Sequence, residues 1–171
     1  MINCDVIVMN LPVGEPVAEE VSLREFDAAG IINSLFERAF SGYVVVTIDG
    51  FDGMEEGVLI FRKGMLVASF YEYLNYDITV FGEPALVQAF NAFAADFGAV
   101  DIYNLSNQQI ELVTAFNDKI ALPKPLLKNE AGRMYVKEFT GQYAKQVLSE
   151  VLKTHESRES VFKKFGLSGL G

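Results

Sequence analysis

The sequence predicts an α+β fold: an antiparallel meander sheet flanked by helices, with a helical C-terminal extension. Three observations predict it. Phe40–Tyr73 holds three strand-like runs separated by turn residues. Apolar residues at helical spacing lie on both sides of that stretch. Pro123-Lys-Pro125 then precedes a long amphipathic segment. The expected organisation is an α+β domain over residues 1–122 and a helical extension over 123–171, joined by a Pro-containing linker.

Taken in order, Cys4–Met9 alternates weakly and is expected to form a short edge strand. Leu11-Pro-Val-Gly-Glu-Pro16 is turn-rich and breaks it. Ser22-Leu-Arg-Glu25 has the spacing of a capping box, a hydroxyl and a carboxylate serving each other's backbone N–H groups. Ala28, Ile31, Ile32, Leu35, Phe36 and Ala39 then share one helical face. Gly30 inside it costs about 1 kcal/mol relative to alanine, so a helix start near Asp27 is the alternative. Tyr43–Ile48 is β-branched and strand-like. Asp49-Gly-Phe-Asp-Gly53 is a turn cluster, Glu56–Arg62 a second strand, Lys63-Gly64 a tight turn, and Met65–Tyr73 a third strand. Both faces of this meander read as apolar, so both are expected to be covered.

Tyr76–Phe81 is a further short strand. Pro84 suits a first helical turn, and Leu86, Phe90, Phe93 and Phe97 follow at helical spacing up to a stop at Gly98. Val100–Leu105 is a strand. Ser106-Asn-Gln-Gln109 is a second capping box, opening a helix with Ile110, Val113 and Phe116 inward. Gly141–His155 is an amphipathic helix with Ala144, Val147, Leu148, Val151 and Leu152 in one stripe. A last short helix is expected over Val161–Phe165.

The chain has 171 residues, 50% hydrophobic and 22% charged, enough for one globular domain with a core that needs no metal or disulfide. Its one cysteine, Cys4, excludes an intramolecular disulfide, which suits a cytoplasmic location. No apolar run approaches the ~20 residues of a membrane-spanning helix. The N-terminus carries Asp5 and no basic start, a poor signal peptide. Residues 1–123 hold five Lys and Arg against eighteen Asp and Glu, whereas residues 124–171 hold nine against five. The acidic body argues against nucleic acid as a partner. The basic segment reads as a solvated helix face, or as a segment that docks on an acidic surface of its own chain or of a partner.

Little points to chemistry. His155 is alone, at the end of a surface-type helix, so zinc and non-haem iron sites are not expected. Asp49, Asp52, Glu55 and Glu56 are the densest carboxylates, but Phe51 and Gly53 stand where an EF-hand needs oxygen ligands. No phosphate-binding glycine loop, dinucleotide fingerprint, nucleophile elbow or zincin motif is present. No cofactor, no metal and no catalytic residue is assigned. Glu72 with Asp77 is the one carboxylate pair offered for acid–base work.

Phe40-Ser-Gly-Tyr43, Glu56-Gly-Val-Leu-Ile-Phe61, Lys63-Gly64 with Val67-Ala68, and Tyr71-Glu-Tyr73 carry a resemblance. So do Gly82-Glu-Pro-Ala-Leu86, Asn91-Ala92 and Leu105-Ser106 leading to Ala115-Phe-Asn117. Over roughly Ser22 to Asn117 the chain resembles the PATAN-type domains found beside bacterial response regulators. It is still more similar to an uncharacterised archaeal family. The resemblance implies a non-catalytic interaction or regulatory module and supplies no catalytic residues.

The leading expectation is therefore a protein-binding or regulatory module, self-associating as a homodimer through one sheet face or the stripe Ala144, Val147, Leu148, Val151 and Leu152. The alternative is a small-ligand sensor whose pocket is lined by Phe70, Tyr71, Tyr73 and Tyr76, aromatic bodies with polar tips. An enzyme using Glu72 or Asp77 as base is the third reading.

Overall fold

The computed structural model describes residues 10–149, 151 and 153. The expectations for Cys4–Met9, His155 and Val161–Phe165 lie outside them. The chain divides into two compact units, Met1–Phe139 and Thr140–Gly171.

The first unit is an open antiparallel sheet with helices. Its described strands are β1 (Glu15–Ser22), β2 (Gly42–Asp49), β3 (Met54–Arg62), β4 (Met65–Tyr73), β5 (Ile78–Phe81), β6 (Gly98–Asn104) and β7 (Ala121–Leu126). They run in the order β1-β6-β2-β3-β4-β5, with β7 also pairing β4. The helices are α1 (Ala28–Glu37), α2 (Glu83–Ala92), α3 (Asn107–Phe116) and the one-turn α4 (Lys128–Ala131).

Local chemistry accounts for most of these elements. Lys63 and Gly64 both have positive φ, the conformation a two-residue hairpin between right-twisted strands requires. A Cβ on Gly64 would meet the Phe36 carbonyl at 2.4 Å, so no larger residue fits. The Ser106 hydroxyl accepts from the Gln109 N–H (3.2 Å) and the Gln109 side chain accepts from the Ser106 N–H (2.9 Å), the reciprocal pair its spacing predicts.

The strand alternation sorts side chains onto two faces. One carries Val44, Val46, Ile48, Leu59, Phe61, Tyr71 and Tyr73, all buried. Helices α1 and α2 cover it. Phe36 meets Phe61 edge to face at 5.2 Å, and α2 approaches so closely that a Cβ on Gly57 would lie 3.0 Å from that of Ala89. The other face carries Tyr43, Val45, Val58, Ile60, Ala68 and Phe70, which form a cluster with Ile110 and Val113 of α3.

Five expectations are corrected. Ser22–Glu25 is not a capping box: Ser22 is strand, opposite Ala99, and α1 is capped by Asp27, whose carboxylate accepts from the Gly30 N–H at 3.0 Å. The turn-rich stretch before it gives way to β1 from Glu15, an edge strand whose residues are mostly exposed and so lack the apolar alternation that announces a strand. The helix expected to reach Phe97 ends at Ala92, leaving Phe97 61% exposed under the Arg24 guanidinium (4.6 Å), while Gly98 opens β6. Phe116 is 83% exposed, not inward, because α3 ends there beyond the sheet contacts of Ile110 and Val113. The expected linker Pro123-Lys-Pro125 is strand β7, seated on the outer side of β4 opposite Leu66 and Ala68.

In the second unit, residues 142–149, 151 and 153 are helical. Ala144 and Leu148 are buried and Val147 is half-buried, whereas Gln142, Lys145 and Gln146 are exposed. Leu152 lies outside the described residues.

Candidate functional site

The third sheet feature is polar. On the face that α3 covers, the strand ends away from Gly42 carry Thr79, Glu72, Glu56, Thr47 and Ala99, aligned across β5, β4, β3, β2 and β6 in one register row. Asp101 stands beside Val45 on the same face. Thr47, Glu56, Glu72, Thr79 and Asp101 are all half-buried. The two-sided apolar sheet expected from sequence is thus apolar on half of this face, and on the other it is apolar apart from the buried Glu55 and Ser69.

Each carboxylate has a fixed neighbour. The Thr47 hydroxyl donates to Glu56 (3.2 Å) and the Thr79 hydroxyl to Glu72 (3.4 Å). The Glu20 N–H donates to Asp101 at 2.7 Å. Glu56 and Glu72 face each other directly across β3 and β4. Burial pushes the Glu56 carboxyl above the ordinary carboxylate range and the charge of Asp101 adds to the rise, while Thr47 opposes it. Burial likewise raises Glu72, with the charge of Glu56 adding and Thr79 opposing. Like charges directly opposite on a sheet destabilise it, so this row holds repulsion that a cation would relieve.

Glu55, one residue from Glu56, points to the opposite face and is 3% exposed. It accepts from the Tyr71 hydroxyl (2.6 Å) and the Phe51 N–H (2.8 Å). Tyr73 donates to Gln88 of α2, itself buried. Burial, with the charge of Glu55, holds both phenols well above their usual range, so they act as fixed donors.

The four aromatic residues offered as one pocket do not converge. Phe70 belongs to the cluster under α3, Tyr71 and Tyr73 point to the other face, and Tyr76 is bonded to Asp52 in the β2–β3 turn. The dense carboxylates of that turn separate too. Asp52 lies in the turn, Glu55 faces α2 and Glu56 faces the acidic row. Among the described residues no group of three His, Cys, Asp or Glu could hold a metal ion. Asp77 has a left-handed backbone just before β5 and is exposed.

Sequence reasoning named Glu72 but missed Glu56 as its cross-strand neighbour, and Asp101 as the further charge acting on Glu56. The signal was the alternation along β3 and β4, hidden by a register shift between Ile60 and Phe61. An unbroken ladder from the Lys63-Gly64 turn would have set Glu56 opposite Tyr71.

The clefts bordering the sheet include two of several hundred Å³. One, of about 820 Å³, lies between Val13, Gly14, Arg38, Phe40, Asn104 and Ser106. The other, of about 570 Å³, lies between α1 and α4. No described helix is long and apolar enough to cross a membrane. Residues 9–117 match the model of a family described as an uncharacterized protein conserved in archaea (DUF2226). No curated protein and no solved structure matches the chain.

Proposed function

We propose that this chain, which belongs to the DUF2226 family of uncharacterized proteins conserved in archaea, is a non-catalytic protein-interaction or regulatory module. Its partner docks on the acidic half of the sheet through a basic segment. One observation carries this reading: Glu56 and Glu72 stand directly opposite each other, half-buried, with Asp101 nearby on the same face. That arrangement costs the fold stability, and a Lys- or Arg-bearing partner would offset it by charge pairing.

The proposed partner is a second copy. Residues 124–171 carry nine Lys and Arg against five Glu, while residues 1–123 are strongly acidic, so two copies are complementary. The stripe Ala144, Val147, Leu148 and Val151 marks the amphipathic helix within that segment. Likeness of the meander to PATAN-type signalling-associated domains supports the regulatory part of the proposal. A cytoplasmic location belongs to it as well, since the single Cys4 suits a reducing compartment.

Sedimentation of the full chain at micromolar concentration, at low and high salt, tests this. A dimer that weakens with salt is expected, because exposed charge pairs are screened. The Glu56→Gln/Glu72→Gln variant is expected to weaken it as well. A strictly monomeric native chain, or a dimer indifferent to both salt and the double substitution, would overturn the proposal.

A further inference from the structure

On β2, β3 and β4 the apolar cluster beneath α3 stops at Val45, Val58 and Phe70. The next row along the same face carries Thr47, Glu56 and Glu72, all half-buried. Beyond Glu56, Met54 alternates onto this face and is 45% exposed. Glu56 and Glu72 each accept one hydrogen bond from a described residue, a threonine hydroxyl, so most of their acceptor positions are unused. Among the described residues no Lys or Arg forms an ion pair with either carboxylate.

The basic side chains after residue 123 are not equally free to meet them. Lys124 is paired with Glu130, and Lys128 with Glu37. In the second unit the one adjacent pair of cations stands in Phe162-Lys163-Lys164-Phe165, a stretch outside the described residues. Two carboxylates opposite each other on neighbouring strands lie about 5 Å apart, within reach of two lysines adjacent in sequence. The phenylalanines on either side complement the exposed apolar surface of Met54.

We propose, on the basis of the second-copy reading above, that Lys163 and Lys164 of one protomer seat on Glu56 and Glu72 of its partner, with a flanking phenylalanine against Met54. The exchange is mutual in a two-fold dimer, so each dimer holds two such contacts. Pairing the two carboxylates with two ammonium groups removes the repulsion across β3 and β4.

Sedimentation of four full chains tests this: the native chain, Glu56→Gln/Glu72→Gln, Lys163→Gln/Lys164→Gln, and the chain carrying all four substitutions. Each pair is expected to raise the dimer dissociation constant about tenfold. All four together should raise it no more than either pair alone, because groups that touch are lost as one interaction. Additive losses would overturn the proposal. A dimer weakened by the glutamate pair and indifferent to the lysine pair would overturn it too, while leaving the second-copy reading standing. A monomeric native chain would end both. Charge reversal then places the contact between copies. Glu56→Lys/Glu72→Lys and Lys163→Glu/Lys164→Glu should each be monomeric alone, and their mixture should form a dimer. Two reversed chains that are both folded by circular dichroism and fail to pair on mixing would count decisively against it.

Discussion

Glu55 is the one carboxylate buried among the described residues, and its neighbours decide what it contributes. The Tyr71 hydroxyl and the Phe51 N–H supply donors that water would otherwise supply. Tyr71→Phe removes one donor and leaves the charge in place. The expected loss is about 1.5–3 kcal/mol, the range for hydrogen bonds to charged groups, read from urea denaturation. Glu56 and Glu72 behave in the opposite sense. Their carboxyls titrate above the ordinary value of 4.5 in the folded chain, so folding favours their protonated form. As pH falls through the raised folded values towards 4.5, the folded state takes up protons before the unfolded state does, and this contribution to stability rises. Denaturation midpoints should therefore increase from neutral pH into that window. The Glu56→Gln/Glu72→Gln variant should be more stable at neutral pH and show a flatter dependence.

Elements whose cause is local were legible. The Lys63-Gly64 turn, the Pro84 start of α2 and the Ser106 cap of α3 each need only neighbouring residues. The α3 cap is open to direct measurement: Ser106→Ala should cost about 1 kcal/mol, with Ser106→Asp retaining most of it, because either oxygen can accept from the Gln109 N–H. Urea denaturation of the two variants beside the native chain checks this. Elements whose cause is remote were not legible. Strand β1 is exposed along most of its length and is held by pairing with β6, some eighty residues away. Ser22-Leu-Arg-Glu25 carries a valid cap pattern, yet its serine is committed to that ladder and Asp27 caps the helix instead. Pro123 and Pro125 read as a linker because proline cannot donate to a ladder, and β7 tolerates them because it is itself outermost on that side of β4.

At the scale of the whole molecule, both sides of the sheet end in strands poorly suited to pairing with another chain. β1 carries Glu15, Pro16, Glu19 and Glu20, its register slips twice, and Glu20 has positive φ. On the opposite side, the edge is divided between β5, only four residues long, and β7, which carries the two prolines. Charge, proline and bulges at edges oppose strand-by-strand growth. The proposed self-association should therefore stop at a dimer, and velocity sedimentation over rising concentration should show no series of larger species. By itself the sequence determined the α+β class, the three-stranded meander, the Lys63-Gly64 turn, the Ser106 cap, and the opposed charges of body and C-terminal segment. These follow from composition, period and neighbouring residues. Tertiary structure alone decided which carboxylates meet. A single bulge between Ile60 and Phe61 turns Tyr71 towards Glu55 and sets Glu72 against Glu56. Strand alternation has a period of two, so a one-residue slip exchanges the faces of every residue beyond it, and such a slip belongs to the pairing of two strands, not to any run of neighbouring residues.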